Sequence, residues 1–262
     1  MFPLLFFLFL KERDSCMRYD FLLFDADDTL LDFGAEEKIA FRATFESYGY
    51  AYDEAVMLPA YNTINHRLWG AFEKGEIQKQ EIIDRRFKEL FEHLGIKGDA
   101  AAFSRDYQDN LGKLGGVPEP GAVQAVKELQ GKARLFVVTN GIKETQEQRM
   151  QRSGLAPFFE NMFISDVLGV RKPQKEYFDI VFSEISGFDP SRALLIGDSL
   201  TSDMAGGENA GIDTCWYNKQ REKKPAGISV TYEIHTLTDV LPIAFGTGRA
   251  GIAQREKRAY NK

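Results

Sequence analysis

Residues 19–30, YDFLLFDADDTL, decide the fold of this 262-residue chain. An apolar run that ends in acidic residues is typical of a buried parallel strand with polar groups at its carboxyl end. Residues two apart on an extended segment point to the same side, so Asp25 and Asp27 can both face a pocket. Two adjacent carboxylates are stable only with a cation or a shared proton. The segment therefore predicts a strand that ends in a site suited to a cation such as Mg²⁺, which would keep Asp25 ionised.

Similar apolar runs recur further along the chain and alternate with segments of helical spacing. The predicted strands are 133–139, 162–165, 193–197 and 213–217, and the predicted helices between them are 121–130, 142–153, 175–184 and 203–210. This alternation predicts right-handed βαβ units and an α/β fold, a Rossmann-like parallel sheet with helices on both faces. In such three-layer folds, ligands bind beyond the carboxyl ends of the strands.

The stretch from residue 34 to residue 117 interrupts this alternation directly after the first strand. It carries four helical patterns, at 36–48, 54–73, 79–94 and 99–111, and no strand pattern. It returns through Gly115-Gly116-Val117-Pro118, which has the composition of a hinge. We therefore expect an all-helical cap at 34–117 over a core made of residues 17–33 and 118–245.

The two ends of the chain are not expected to belong to the core. Residues 1–10, MFPLLFFLFL, are about half the roughly 20 residues needed to span a bilayer. No basic residue precedes them and no small-x-small cleavage pattern follows, so residues 1–16 are interpreted as an extension that the fold does not need, with Met17 a second possible start. The Gly- and charge-rich segment 246–262 lacks apolar periodicity and is expected to be a mobile tail.

Composition limits the classes of partner. The apolar fraction of 44% and the charged fraction of 27% are those of a globular protein, and a net charge of -6 argues against a nucleic acid polymer. Two cysteines, Cys16 and Cys215, cannot form a disulfide framework, and Cys215 lies in an apolar run where a buried thiol is expected. A small phosphorylated metabolite stays possible as a partner, because one or two local cations can hold a phosphate whatever the net charge. We expect a cytoplasmic protein, monomer or homodimer, that binds no membrane.

Three further motifs fall where predicted strands end or where a helix begins. Thr139-Asn140-Gly141 offers a hydroxyl and an amide to phosphate oxygens. Lys172, in VRKP at 170–173, supplies a cation that can neutralise developing phosphoryl charge. The segment 197–203, GDSLTSD, places Asp198 and Asp203 beside a glycine turn. Each motif alone is weak, but their order and their strand-end positions together predict one site.

These four segments together resemble the signature of the haloacid-dehalogenase-like (HAD) hydrolase superfamily: DxDx[TV]-L, a Thr or Ser, a Lys, and GD followed by a further Asp. The resemblance spans Met17 to about Pro242, and the helical insertion is similar to the cap of the subgroup that contains dehalogenases, phosphoglycolate phosphatases and β-phosphoglucomutases. More narrowly, FDADDTLLDF at 24–33, NHRLW at 65–69 with GEI at 75–77, and NAGIDTCW at 209–216 resemble the pyrimidine 5′-nucleotidase branch.

The resemblance implies a phosphatase mechanism with roles for individual residues. Asp25 would attack phosphorus to form an aspartyl-phosphate. Asp27 would protonate the leaving alkoxide and then deprotonate the attacking water. Thr139 and Lys172 would hold the phosphoryl oxygens, with Asn140 as a helper. Dehalogenases of the superfamily lack an acid at the position of Asp27, so its presence disfavours dehalogenation.

The resemblance also implies a magnesium site and a specificity region. Asp25, the backbone carbonyl of Asp27, and Asp198 would bind Mg²⁺. Asp203 would orient Lys172 or a metal-bound water, although it could instead cap the helix that follows Ser202. In the cap, Asn65 and Trp69 share a helix face and could either make an ordinary contact or, in the case of Trp69, pack on a nucleotide base.

The sequence therefore predicts a Mg²⁺-dependent phosphate monoester hydrolase, with 5′-nucleotidase activity on pyrimidine nucleoside monophosphates as the leading function. The alternatives are a sugar-phosphate or phosphoglycolate phosphatase, a phosphomutase, and a binding protein without turnover. A phosphonate hydrolase, in which Lys74 or Lys79 would form a Schiff base, also stays open.

Overall fold

The structure is a computed structural model that describes residues 17–247. Its centre is a parallel sheet of six strands in the order β3-β2-β1-β4-β5-β6. The strands are β1 Phe21–Phe24, β2 Arg134–Thr139, β3 Asn161–Ile164, β4 Ala193–Gly197, β5 Asp213–Tyr217 and β6 Tyr232–Ile234. The α/β prediction is confirmed, and five of the strands lie where the apolar runs predicted them.

Alternate residues of the central strands pack into two hydrophobic clusters, one on each face of the sheet. Leu22 and Phe24 of β1 belong to one cluster, whereas Phe21 and Leu23 belong to the other. This arrangement follows from the period of two along a strand and explains why β1 is apolar throughout. Phe24 lies beside Val137 of β2 and Ile196 of β4, so β1 is in the centre of the sheet.

Strand β6 was not predicted. It has three residues and pairs only with β5 among the described strands, where Cys215 lies opposite Tyr232. Its alternation is correct, because Tyr232 and Ile234 are buried and Glu233 is exposed. A run of three residues is too short for its periodicity to be distinguished from a loop.

Ten α-helices complete the described part of the chain. They are α1 Phe33–Ser47, α2 Glu54–Glu73, α3 Lys79–Leu94, α4 Ala100–Leu114, α5 Ala122–Leu129, α6 Lys143–Arg152, α7 Ser165–Leu168, α8 Lys175–Glu184, α9 Ala205–Ala210 and α10 Val240–Ala244. The predicted helix at 203–210 begins later, because Leu200–Met204 form a wide π-type turn before it.

Helices α1–α4, here called the cap helices, are inserted between β1 and α5. They have a hydrophobic core of their own, rich in aromatic residues such as Phe41, Phe87 and Phe103. This separate core supports the predicted cap, whose boundaries at 34 and 117 stay a prediction. The chain crosses between the two regions twice, and at these crossings Asp32 N–H donates to Val117 O at 2.9 Å.

The predicted extension at 1–16 lies outside the described residues, as does the predicted tail from residue 248 onward. Residues 246 and 247 belong to the predicted tail but hydrogen-bond to α10, where Thr247 N–H donates to Pro242 O at 2.9 Å. Among the helices of residues 17–247, none combines the length and the apolar character needed to cross a membrane. Cys215 is buried as expected, and burial raises the pKa of its thiol.

Candidate active site

The strand order brings three of the predicted site residues to one place. Asp25 follows β1, Thr139 ends β2 and Asp198 follows β4, and β1 lies between the other two strands. Asp25 N–H donates to Ile196 O at 2.8 Å, so the residue continues the ladder at the carboxyl edge of the sheet. At this edge the connections that follow neighbouring strands run toward opposite sides of the sheet. Open α/β sheets bind ligands at such a position.

An acidic cluster forms at this edge. Carboxylate oxygens of Asp25, Asp198 and Asp203 all lie within 4.8 Å of one another. Burial raises the pKa of both Asp25 and Asp198, and the neighbouring carboxylates raise it further. Such a group of buried acids is stable in its ionised form only near positive charge. The convergence of Asp25 and Asp198 that a shared cation requires is therefore present.

Lys172 supplies one positive charge to this cluster. Its Nζ donates to Asp25 at 2.5 Å, to Asp203 at 2.7 Å and to the carbonyl of Val138 at 2.9 Å. Burial alone would lower the pKa of this ammonium group, but Asp203 and Asp25 raise it above its usual value. With 1% of its surface exposed, Lys172 is a fixed cation that faces Asp25.

Asn140 holds the backbone of Lys172 on both sides. Its Nδ2 donates to Lys172 O at 3.0 Å, and its Oδ1 accepts from Lys172 N–H at 3.0 Å. The pair uses only one N–H of the amide, so the second N–H stays available for the predicted contact with phosphate. The structure adds a role for Asn140 in positioning Lys172.

Asp203 orients Lys172, which was one of its predicted roles. Its second oxygen accepts from Ser199 N–H at 3.1 Å. The alternative prediction, a cap of the following helix, is wrong: Ser199 caps the preceding turn by accepting from Ser202 N–H, and α9 begins only at Ala205. Asp203 packs so closely on Gly197 that a Cβ there would lie 2.2 Å from its carboxylate, which explains the glycine.

Thr139 is buried and faces the same site. Its Oγ1 accepts from Gly141 N–H at 2.9 Å and from Gln146 Nε2 at 3.0 Å. With both lone pairs engaged, the hydroxyl proton is available for donation to a ligand oxygen. This geometry suits the predicted contact with a phosphoryl group.

The carboxylate of Asp27 is held by two residues that the sequence analysis missed. Arg149 Nη1 donates to one of its oxygens at 2.6 Å, and Gln146 Nε2 donates to the other at 2.5 Å. Both donors lie on α6, whose sequence KETQEQRMQR contains one apolar residue, Met150. A helix of a βαβ unit packs on the core, and one with so few apolar residues has to bury polar side chains there. This signal could have identified Gln146 and Arg149.

A cavity of about 280 Å³ opens in front of these groups, between the sheet edge and the cap helices. Asn65 and Trp69 of α2 both line it, as their spacing predicted, and Trp69 packs edge-to-face on Phe72 with ring centroids 5.6 Å apart. Asn65 is 3% exposed, yet its buried Oδ1 has no hydrogen-bond partner among residues 17–247. The cavity is also lined by the previously unassigned Phe33, His66 and Glu73.

The cap helices touch the core close to this cavity. Lys79 Nζ donates to Gly141 O at 3.0 Å, to Ser165 at 2.8 Å and to Asp166 at 2.5 Å. Lys79 is therefore engaged with the core and does not line the cavity, and neither does the exposed Lys74. This placement disfavours the Schiff-base alternative.

The fold and the acidic site together define the class of protein. Residues 19–211 match the family of haloacid dehalogenase-like hydrolases. This match covers well over half of the chain, and the chain belongs to that family of enzymes.

Three curated relatives are similar over nearly their full length. The chain is 42% identical to the HAD-hydrolase YfnB of Bacillus subtilis, with 86% of this chain and 95% of YfnB covered. It is 38% identical to the pyrimidine 5′-nucleotidase PynA of Streptococcus pneumoniae, with 86% and 94% covered. It is 31% identical to the pyrimidine 5′-nucleotidase YjjG of Escherichia coli, with 86% and 97% covered.

A solved structure of YfnB is also similar to this fold. It has a TM-score of 0.83 and 41% identity, and the match covers 87% of this chain and 99% of the YfnB chain. That crystal structure is described as bound to magnesium and as revealing interdomain movement.

Proposed function

We propose that this hydrolase is a Mg²⁺-dependent phosphate monoester hydrolase that acts through an aspartyl-phosphate on Asp25. One observation carries the proposal: Asp25 and Asp198 converge within 4.8 Å, and the Nζ of Lys172 lies 2.5 Å from Asp25. A carboxylate between a cation site and a fixed ammonium group is suited to attack an anionic phosphorus centre.

The residues present fit a magnesium ion. Mg²⁺ prefers oxygen ligands, and Asp25 and Asp198 offer carboxylate oxygens at one point, with the backbone carbonyl of Asp27 proposed as a third ligand. Asp203 also lies in the cluster, but its oxygens already accept from Lys172 and Ser199. When bound, Mg²⁺ would neutralise the buried acids and polarise a phosphoryl oxygen. The magnesium in the related YfnB structure supports this assignment.

Each protein group then has a defined task. Asp25 attacks phosphorus, the P–O bond to the leaving group breaks, and Asp27 donates a proton to the departing alkoxide. Asp27 then takes a proton from the water that attacks the aspartyl-phosphate and releases phosphate. Lys172 and the hydroxyl of Thr139 neutralise and orient the phosphoryl oxygens, while Asn140 holds the backbone of Lys172 in place.

For the substrate, we propose nucleoside 5′-monophosphates, with pyrimidine bases preferred. The similarity to PynA and YjjG, both named as pyrimidine 5′-nucleotidases, supports this class. A cavity of about 280 Å³ suits a small metabolite, and it is lined by both charged groups and the ring of Trp69. The cap, proposed as residues 34–117 above a core of 17–33 and 118–245, would exclude water and select the leaving group.

The environment of Asn65 supports the proposal of a substrate whose leaving group is polar. Its Oδ1 is a buried acceptor without a hydrogen-bond partner among the described residues, which is costly unless a ligand or water satisfies it. The amide offers one acceptor and two donors, which can match the carbonyl and N–H edge of a pyrimidine. Trp69, four residues along the same helix, offers an aromatic face on which a base can stack.

Phosphate release from a panel of phosphorylated metabolites, with Mg²⁺ and with EDTA, tests the proposal. We expect hydrolysis that requires Mg²⁺, highest kcat/KM for pyrimidine 5′-monophosphates, and no turnover by Asp25→Asn. Highest activity on a sugar phosphate or phosphoglycolate would replace the substrate class but keep the mechanism. A requirement for a bisphosphate activator would indicate a phosphomutase. Activity in EDTA or in Asp25→Asn would contradict the mechanism, and ligand binding without turnover would indicate a binding protein.

Asn65→Ala tests the specificity region separately. We expect kcat/KM for the preferred nucleotide to fall by about 10-fold or more, because the base would lose its partner, while 4-nitrophenyl phosphate is little affected. Asn62→Ala, on the same helix but not in the cavity lining, is the matched control. Equal losses on both substrates would remove Asn65 from substrate recognition.

A further inference from the structure

The carboxylate of Asp27 lines the cavity, but two hydrogen bonds fix its orientation. Arg149 and Gln146 occupy its two oxygens, at 2.6 and 2.5 Å. Arg149 also donates to Gln146 Oε1 at 3.0 Å, so the three side chains form one hydrogen-bonded unit. Gln146 joins this unit to Thr139 at 3.0 Å. The side-chain conformation of Asp27 is therefore set by α6.

Arg149 is held in turn by a residue of the cap helices. Its Nε donates to Glu36 in a short ion pair, and both side chains are fully buried. The other oxygen of Glu36 accepts from Gly116 N–H at 2.9 Å and from Val117 N–H at 2.8 Å. Glu36 lies in the first turn of α1, where the chain enters the cap helices, and residues 116–117 lie where it leaves them.

The segment 115–117, where the chain leaves the cap helices, is also packed tightly on α6. A Cβ on Gly116 would lie 2.6 Å from the Cβ of Arg152 and 2.9 Å from the carbonyl of Arg149, and Gly116 has a φ of +94°. Arg152 donates to Gly115 O at 3.0 Å. A change in the backbone at 115–117 must therefore move Glu36, α6 or both.

A general acid needs one oxygen directed at the leaving group. Each oxygen of Asp27 accepts one bond from α6, so Arg149 and Gln146 determine in which direction its remaining lone pairs point. Arg149 also has a buried Nη2 without a hydrogen-bond partner among the described residues, so this donor is available if the guanidinium shifts.

We propose that Arg149, anchored by Glu36, is a positioning residue that makes the orientation of the Asp27 carboxylate depend on the backbone conformation at 115–117. Movement at 115–117 shifts Glu36, Glu36 shifts the guanidinium, and the guanidinium changes where Asp27 presents its oxygens. Proton transfer to the leaving group is then coupled to the position of the cap helices. This inference rests on the proposed phosphatase mechanism.

The test uses leaving groups of different basicity, because an aryl oxide departs without a proton whereas an alkoxide needs one. Arg149→Lys keeps the charge but removes the planar fork that bonds Asp27 and Glu36 together. We expect its kcat/KM to fall more on a nucleoside or alkyl phosphate than on 4-nitrophenyl phosphate, by a further factor of about 10 or more. This factor is a part of the rate enhancement of about 10² to 10⁴ that a proton donor contributes. Glu36→Gln keeps the acceptor for Gly116 and Val117 and should change the same ratio in the same direction.

Glu147→Gln is the control, since Glu147 is an exposed residue of the same helix. Its alkyl-to-aryl ratio should equal that of the wild type. Equal losses on both substrates in folded Arg149→Lys, or in Glu36→Gln if the first variant does not fold, would overturn the inference, as would the same ratio change in Glu147→Gln. If Asp27→Asn changes the ratio and these variants do not, only this inference fails. An inactive wild type would refute the proposed function as well.

Discussion

Glu37 makes the stability of this protein depend on pH in a direction that can be calculated. Its side chain is 4% exposed in α1, and burial, reinforced by the nearby Asp28, raises its pKa from 4.5 to about 8. The folded state therefore keeps the proton while the unfolded state loses it, so stability falls as the pH rises from 4.5 toward 8. At about 1.4 kcal/mol for each pH unit, the full penalty is about 5 kcal/mol.

Glu37→Gln removes this penalty without changing the size of the side chain. We expect the variant to gain free energy of unfolding over the wild type, and we expect the gain to grow by about 2.5 kcal/mol between pH 5.5 and pH 7.5. In a chain of this size that corresponds to roughly 7 °C in the melting temperature. Urea unfolding at several pH values measures the difference directly.

Glu46→Gln is the control, because Glu46 is an exposed residue of the same helix. Its difference from the wild type should stay within about 0.5 kcal/mol at every pH. If the curves of Glu37→Gln and the wild type ran parallel between pH 5.5 and pH 7.5, Glu37 would be ionised in the folded state. The reasoning from its burial would then be refuted.

Two changes at the site have equally specific outcomes. Asp27→Asn should slow the hydrolysis of nucleoside and alkyl phosphates by about 10² to 10⁴ and that of 4-nitrophenyl phosphate far less, as measured by steady-state kinetics, whereas equal losses would contradict its role as proton donor. Lys172→Met should abolish turnover and lower the free energy of unfolding by about 3 kcal/mol, as measured by urea unfolding, because Asp203 would lose its buried partner. Unchanged stability would show that the ammonium group is not needed to balance Asp203.

The sequence predicted the fold well because its signals are local. The bounds of α2, α3 and α8 agree with their apolar spacing, and β4 and β5 agree with their apolar runs. Strand β6 was missed because three residues carry too little periodicity. The π-type turn at 200–204 was also missed; within it the side chain of Asp203 is directed to Lys172, a contact between residues 31 apart that local spacing does not reveal.

The site was predictable where strands end and less so where helices contribute. Asp25, Thr139 and Asp198 follow from the parallel sheet, since its carboxyl edge brings strand ends together. Arg149 and Gln146 contact Asp27 across 122 and 119 residues, and no spacing rule relates such positions. Asn140 lies where it was expected, but its amide serves Lys172, and only the geometry reveals that use.

Trapping the phosphoryl group on Asp25 tests the central claim most directly. Substrate labelled in its phosphoryl group and Mg²⁺ would be mixed with the enzyme and quenched in acid within one turnover. One part of the quenched sample is assayed for label bound to the protein, and a second part is reduced with borohydride, which releases the phosphate and converts the aspartyl residue to homoserine that mass spectrometry can locate. We predict protein-bound label in the first part and homoserine at residue 25 in the second, and neither in Asp25→Asn. Phosphate release from an enzyme that never carries the label, or a label at another residue, would contradict the account.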